Sequence, residues 1–286
     1  MNGFISVNKP RGIGSTLVVS VVKRLTGEKC GHLGTLDPEA EGVLPIAIGK
    51  GTRLFNHFLN KDKVYVATCE FGYETDTLDS SGEVIERSQT LPTIQDIAEK
   101  MNKMVGKFKQ MPPRYSAKRV EGKRAYDLAR SGAEFNLTPK NIEIFSLKLL
   151  DFSDNKLTLE MHVSAGTYVR AIFRDLAYSL KTVATTTSIF RTKSGCFTIE
   201  NSIDFSNLSL NSIERNFIPL NSALKDLNAF TLNDKQVQDL LCGRNVLVNE
   251  PDKTNIKFVT NSGSIYGIGN IKNGKIIITT YLYSEN

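Results

Sequence analysis

No apolar run in this chain approaches the roughly 20 residues that cross a bilayer, and the N-terminus lacks a signal-peptide layout. A membrane or secreted protein is therefore not expected. The four cysteines, Cys30, Cys69, Cys196 and Cys242, form no C-x-x-C pair. They read as free thiols of a reducing cytoplasm, and neither a disulfide framework nor a zinc site is expected. The three histidines, His32, His57 and His162, make no ligand spacing. His162 falls on the polar side of an alternating run and reads as a surface residue. Nucleotide signatures are missing too. Gly12-Ile13-Gly14 lacks the third glycine of a dinucleotide fingerprint, and Gly51 stands in Gly49-Lys50-Gly51-Thr52 where a phosphate loop needs Ser or Thr. There is no G-x-S-x-G elbow. ATPase, dehydrogenase and ordinary hydrolase chemistry have little support, and no metal or cofactor is expected.

The 286 residues are 40% hydrophobic and 23% charged, enough for a sizeable core in one large domain or a large plus a small one. Net charge is +6, and its placement is informative. Lys107, Lys109, Arg114, Lys118, Arg119, Lys123, Arg124 and Arg130 face only Glu121 and Asp127, a surplus equal to that of the whole chain. Such a segment is an electrostatic footprint for a polyanion. Taken alone it also fits a solvated charged face. Phe108, Tyr115 and Tyr126 interleave with the cations, which suits base stacking beside phosphate contacts.

The richest string runs Gly31-His32-Leu33-Gly34-Thr35-Leu36-Asp37-Pro38 into Glu39-Ala40-Glu41-Gly42-Val43-Leu44-Pro45. Asp before Pro is first a turn signal. Three glycines, a His and an Asp in one short loop point further, to backbone approach to a ligand. A single rigidly held carboxylate suits catalysis without a metal.

Along the chain, Phe4–Val7 reads as a strand. Ser15 or Thr16 can cap a helix that closes at Gly27. Strand character recurs at Val64–Phe71, Ile142–Leu150 and Leu157–Val163. Thr93–Val105 is an amphipathic helix with Ile94, Ile97, Ala98 and Met101 inward, and Thr167 can cap another. Asn201–Asn216 reads as a long connection or weak element. Beyond Phe230 a helix over Asp234–Leu241 precedes three β runs, with a type I′ hairpin signal at Asn273-Gly274. The mixture reads as α/β or α+β with a mainly antiparallel sheet.

The segment Gly31 to Leu54 resembles the catalytic block of TruB-type tRNA pseudouridine synthases. Asn8-Lys9-Pro10-Arg11-Gly12 with Ser15 resembles that family's N-terminal Lys-Pro motif. Lys63-Val64-Tyr65, followed by Gly72-Tyr73-Glu74-Thr75-Asp76-Thr77-Leu78-Asp79, resembles its tyrosine strand. Gln110–Ala117 with Gly122–Tyr126 resembles its RNA-clamping thumb insertion. Ser164-Ala165-Gly166-Thr167-Tyr168-Val169-Arg170 and Phe190-Arg191-Thr192 resemble later motifs. The resemblance implies a pseudouridine-synthase fold: a mainly antiparallel mixed sheet flanked by helices over residues 1–228, a thumb at about 106–140, and a small PUA-like β domain over 229–286.

It also implies isomerisation of the T-loop uridine at tRNA position 55, without cofactor, metal or guide RNA, by a cytoplasmic monomer that engages the tRNA T-arm. Asp37 takes the place of the catalytic carboxylate, kept charged beside Arg170. It acts either by attack on C1′ or by removal of a C2′ proton. Tyr65 would stack on the flipped uracil and accept the C5 proton. His32 would help extrude or hold the nucleotide, Tyr168 and Ile189 would line the pocket, and Lys9 would support it. Lys118, Arg119, Lys123 and Arg124 are the implied thumb contacts. Glu41 departs from the family's usual Ser or Thr and affects a local hydrogen bond in the loop. Without the resemblance, Tyr65 reads as sheet packing, Tyr168 and Ile189 as core, and Lys9 as surface. An RNA-binding chaperone that folds tRNA without chemistry is the competing class.

Overall fold

The computed structural model describes residues 1–116, 119–120 and 122–283, without the side chains at 119, 123 and 124. Nine of the eleven described strands of the main sheet surround the Asp37 loop: β1 (Gly3–Lys9), β2 (Cys30–His32), β3 (Ala40–Ile48), β4 (Lys63–Phe71), β5 (Gly106–Gln110), β6 (Lys140–Ser153), β7 (Lys156–Val163), β8 (Ala184–Ser194) and β9 (Ser202–Asp204), while two-residue strands at Phe197–Thr198 and Ile218–Pro219 pair with β8 and β1. Their order is β9-β1-β3-β8-β4-β7-β6-β5, with β2 beside β3. Only the β1–β9 and β3–β8 pairings among these are parallel.

The two strands that frame the site, β3 and β8, were not legible as strands. β3 is buried along almost its whole length, so it shows no period-2 alternation and contains Pro45. β8 carries three consecutive threonines and two bulges, between Thr186 and Ser188 and between Arg191 and Lys193. β4, by contrast, buries every second residue from Lys63 to Phe71. Bulges next to active sites re-aim side chains, and the first of these lies beside Ile189.

The three longest helices packed on the sheet are α1 (Ser15–Thr26), α2 (Ile94–Met104) and α3 (Val169–Ser179). Val18 and Val22 of α1, Ile97 and Met101 of α2, and Ile172, Phe173 and Leu176 of α3 enter one apolar core with the sheet. Burying each such side chain is worth about 1.5–3 kcal/mol. Three local expectations change. Ile94 and Ala98 are exposed, because α2 seats only its Ile97/Met101 edge on the sheet. The N-cap of α1 is Gly14, and Ser15 turns inward instead. The N-cap of α3 is Tyr168, while the Thr167 hydroxyl donates to the Ser164 carbonyl in the preceding turn. α2 does start at a Thr93–Asp96 capping box.

A second sheet follows: β10 (Ala229–Leu232), β11 (Lys253–Thr260), β12 (Ile265–Lys272) and β13 (Lys275–Tyr281), with α4 (Asp234–Leu241) packed against it. Asn273 and Gly274 close the last hairpin at φ 51° and 69°. This sheet has its own core around Phe258 and Tyr266. It also shares an apolar seam with the main sheet, where Ile265, Ile268 and Leu282 join Phe4, Ala47 and Phe58. Between Asn201 and Asn216, where a long connection or weak element is expected, the chain forms short elements, a strand over Ser202–Asp204 and a helix over Leu210–Arg215.

Candidate active site

The Asp37 loop leaves β2 and returns as β3, and the first turn of the chain pins it from one side. Gly12 sits at φ 86° and donates its N–H to the Pro38 carbonyl at 2.9 Å. Only a residue tolerant of positive φ fits that turn. The Ser15 hydroxyl donates to the Leu36 carbonyl at 2.8 Å and accepts the Leu36 N–H at 2.9 Å. Lys9 is fully buried, and its ammonium donates to the carbonyls of Pro10, Ile13 and Pro38 at 2.9, 2.8 and 3.3 Å. It is neither surface nor a side chain within reach of a substrate; it ties the β1–α1 turn to the loop. Burial lowers its pKa to about 8, against the pull of Glu41, Asp37 and Glu39.

Asp37 reaches out of this frame, its side chain 43% exposed while that of Arg170 is only 6% exposed. Arg170 Nη2 donates to Asp37 Oδ2 at 2.5 Å and to the Tyr115 carbonyl at 3.1 Å. Its Nη1 donates to Asp79 Oδ2 at 3.0 Å and to the Thr77 carbonyl at 2.8 Å. A cation in the first turn of α3 opposes the helix dipole, and two carboxylates offset that. Asp79 is fixed in turn, its Oδ1 accepting from the hydroxyls of Thr77 and Ser81 and from the Ser81 N–H.

A shallow cleft opens over Asp37, walled by Glu39, Ala40, Asp79, Ser80 and the Thr186–Ile189 stretch of β8. Asp37 and Ile189 thus meet at one site. Tyr65, on β4, lies opposite Met161 and Arg191 with 7% exposure and does not wall this cleft. His32 ends β2 opposite Ile46, half-buried, and is also outside the cleft wall. The Tyr168 backbone is clamped at both ends by the Gln110 amide: its N–H donates to Oε1 at 2.9 Å and its carbonyl accepts from Nε2 at 3.2 Å. Burial raises the Tyr168 phenol pKa. Of the loop glycines, Gly42 answers to the fold: a Cβ there would lie 2.3 Å from the Arg191 carbonyl, which accounts for that residue by strand approach. A larger groove, near Leu220, Ile265 and Tyr283, has no charged side chain in its lining, whereas the cleft over Asp37 has three, Asp37, Glu39 and Asp79.

The basic segment splits in two. Lys107 and Lys109 stand exposed on β5, the sheet's edge strand. Arg114 lies over Phe135 at 5.1 Å and Arg130 over Tyr126 at 4.6 Å, while Phe108 packs on the core. Two of the three interleaved aromatics are therefore engaged with the protein rather than open for bases. Lys118 and the side chains of Arg119, Lys123 and Arg124 lie outside the described residues. His162, read as surface, pairs with Asp62 at 2.6 Å and packs its ring against Phe145. Among the described residues, no helix is long and apolar enough to cross a membrane.

The roles of Asp79, Gln110 and Arg191 were missed, although all three fall inside the quoted motifs. A motif gives order along the chain, whereas these contacts span 58 to 157 residues.

Residues 23–169 match the family model described as TruB family pseudouridylate synthase, N-terminal domain. A protein of Rickettsia bellii (strain OSU 85-389) named tRNA pseudouridine synthase B is 37% identical over 278 residues, covering 95% of each chain. One of the same name from Rickettsia akari (strain Hartford) is 36% identical over 94% of each. Among solved structures, a Cbf5–Nop10–Gar1 complex superposes with a TM-score of 0.74 at 22% identity, over 98% of this chain and 84% of that one. An H/ACA RNP bound to a substrate RNA containing 2′-deoxyuridine gives 0.74 at 20%, over 99% and 85%. At that identity the superpositions show the fold: mixed α/β, a large mainly antiparallel sheet flanked by helices, and a β-rich C-terminal sheet compatible with a PUA-like domain.

Proposed function

The chain belongs to the TruB family of pseudouridylate synthases, and from that premise we propose that it isomerises the T-loop uridine at position 55 of tRNA, with Asp37 as the catalytic carboxylate. The observation that carries this reading is the half-exposed Asp37 at a cleft, gripped by a buried Arg170 that Asp79 and two carbonyls hold still.

The reaction breaks the N1–C1′ bond, turns the uracil, joins C5 to C1′ and moves the C5 proton to solvent while N1 gains one. Nothing is oxidised and no water is added. Asp37 acts at the sugar, either by attack on C1′ or by taking a C2′ proton; both routes use the same oriented carboxylate. The uridine must leave its stacked loop, at a cost of a few kcal/mol. Tyr65 stacks on the base and accepts the C5 proton in this scheme. It is 7% exposed, so the base reaches it only as the cleft opens. Ile189 and Tyr168 flank the base, His32 helps hold the everted nucleotide, and Lys9 supports the loop from beneath.

The segment between β5 and β6, with Lys118, Arg119, Lys123 and Arg124, is the thumb that contacts phosphates. Residues 1–228 form the catalytic domain and 229–286 the PUA-like one. The protein works as a monomer on tRNA in the cytoplasm, without guide RNA. The named relatives support this reading: they are tRNA pseudouridine synthases over nearly their whole length.

Pseudouridine mapping on an unmodified T-arm transcript, with no other protein or RNA, tests it. Wild type should modify the one uridine. Asp37→Asn should bind the RNA and modify nothing. Binding without modification by the wild type would leave the chaperone reading, and a requirement for added RNA would make the enzyme guide-dependent.

A further inference from the structure

Arg191 is the largest side chain fully enclosed by the fold, 1% exposed, and among the described residues it pairs with no carboxylate. Its guanidinium is met by carbonyls alone. Nε donates to Val43 at 2.7 Å, Nη2 to Gly34 at 3.0 Å and Nη1 to Thr35 at 3.4 Å. Gly34 and Thr35 lead into Asp37, and Val43 leads away from it. One rigid planar fork therefore spans both legs of the loop. The backbone contact is as close: Gly42 sits at φ 99°, where any side chain would collide with the Arg191 carbonyl. A buried charge without a counterion is costly, and packing alone would be served by an apolar residue of similar length.

We propose that Arg191 is a positioning residue that latches the two legs of the Asp37 loop and so sets the carboxylate against Arg170. It touches no substrate and acts through the loop. The catalytic part of the proposal rests on the reading of Asp37 given above. Lysine at this position keeps the charge but offers one point of donation, which does not span three carbonyls. Methionine keeps the length and offers neither.

Two measurements on full-length Arg191→Lys and Arg191→Met test the latch. The first is hydrogen exchange at the amides of Leu36 and Ala40, which are bonded to Ser15 and to the Asp37 carbonyl. These should exchange about tenfold faster in Arg191→Lys, with β7 amides unchanged. The second is single-turnover isomerisation of a T-arm RNA, expected to fall about a hundredfold while affinity for that RNA stays within about twofold. Leu157→Ala, a core truncation in β7, supplies the matched destabilised control and should leave the rate intact. If Arg191→Met does not fold, Arg191→Lys carries both measurements. Unchanged exchange at Leu36 and Ala40, or a rate loss reproduced by Leu157→Ala, overturns the latch. A wild type inactive on the RNA removes the Asp37 reading and leaves the exchange measurement to decide whether the loop is latched.

Discussion

The Asp37 loop and the basic segment beyond β5 both stand out in the sequence, and their cations are used in opposite ways. Lys9, Arg170 and Arg191 are buried, and their donors meet oxygens of the fold itself. Lys107, Lys109, Arg114 and Arg130 are exposed, and only the two arginines rest on aromatic rings. Buried cations fix geometry, because an unmet donor there is expensive. Exposed cations fix little and remain open to a polyanion, with salt screening their effect. Changes on the two sides should accordingly separate chemical rate from binding.

The largest effect is expected at Arg170. Arg170→Ala leaves Asp79 buried with no partner for Oδ2, and breaking such a pair costs about 3–5 kcal/mol. It also frees Asp37 to rotate, so single-turnover rates should fall at least about a hundredfold. Urea unfolding and rapid-quench assays read the two losses. Asp79→Asn should cost less stability, since the amide still accepts hydrogen bonds, yet still slow the chemistry through Arg170. A normal rate in Asp79→Asn would detach Asp79 from the site and weaken the contrast between the two regions.

What was legible in the sequence follows the same division. Asp37 and Arg170 stood out because ordered motifs mark them. Asp79 and Arg191 lay in those motifs without a visible role, since their partners are 91 and 148 residues away. β3 was hidden because a central strand buried on both faces loses alternation, and β8 because its three threonines look polar and two bulges break its period. The last hairpin was legible from two residues, Asn273 and Gly274, whose local geometry suffices. The seam joining the two sheets was not, because Phe4, Ala47, Ile265 and Leu282 meet only in three dimensions. That seam also changes an experiment: deleting everything after about Phe230 would strip apolar cover from the main sheet. Surface substitutions on the second sheet are the cleaner probe of RNA binding.

An intermediate effect belongs to the basic segment. Replacing Lys118, Arg119, Lys123 and Arg124 together by Ala should weaken T-arm binding and reduce the slope of log affinity against log salt by about three, as expected for four lost phosphate contacts. The single-turnover rate at saturating RNA should stay near wild type. Filter binding at several salt concentrations measures the slope. A full-strength slope with a reduced rate would move these residues to the Asp37 side of the comparison.

The smallest effect is a pH dependence of stability from Lys9. Burial lowers its pKa in the folded protein from 10.5 to about 8. Below about pH 8 both folded and unfolded chains carry the proton, and folding bears the full penalty of enclosing the charge. Between about 8 and 10.5 the unfolded chain binds more protons than the folded one, so stability contributed at this site rises with pH. Lys9→Met removes the titration. The stability of wild type relative to Lys9→Met should therefore increase between pH 7 and pH 9.5, measured by urea unfolding at each pH. Lys63, lowered to about 8 for the same reason, is common to both proteins and cancels in the difference. A difference that stays flat or falls over this range would mean that the Pro10, Ile13 and Pro38 carbonyls hold the ammonium charged despite its enclosure, and the loop would then rest on a permanent buried cation.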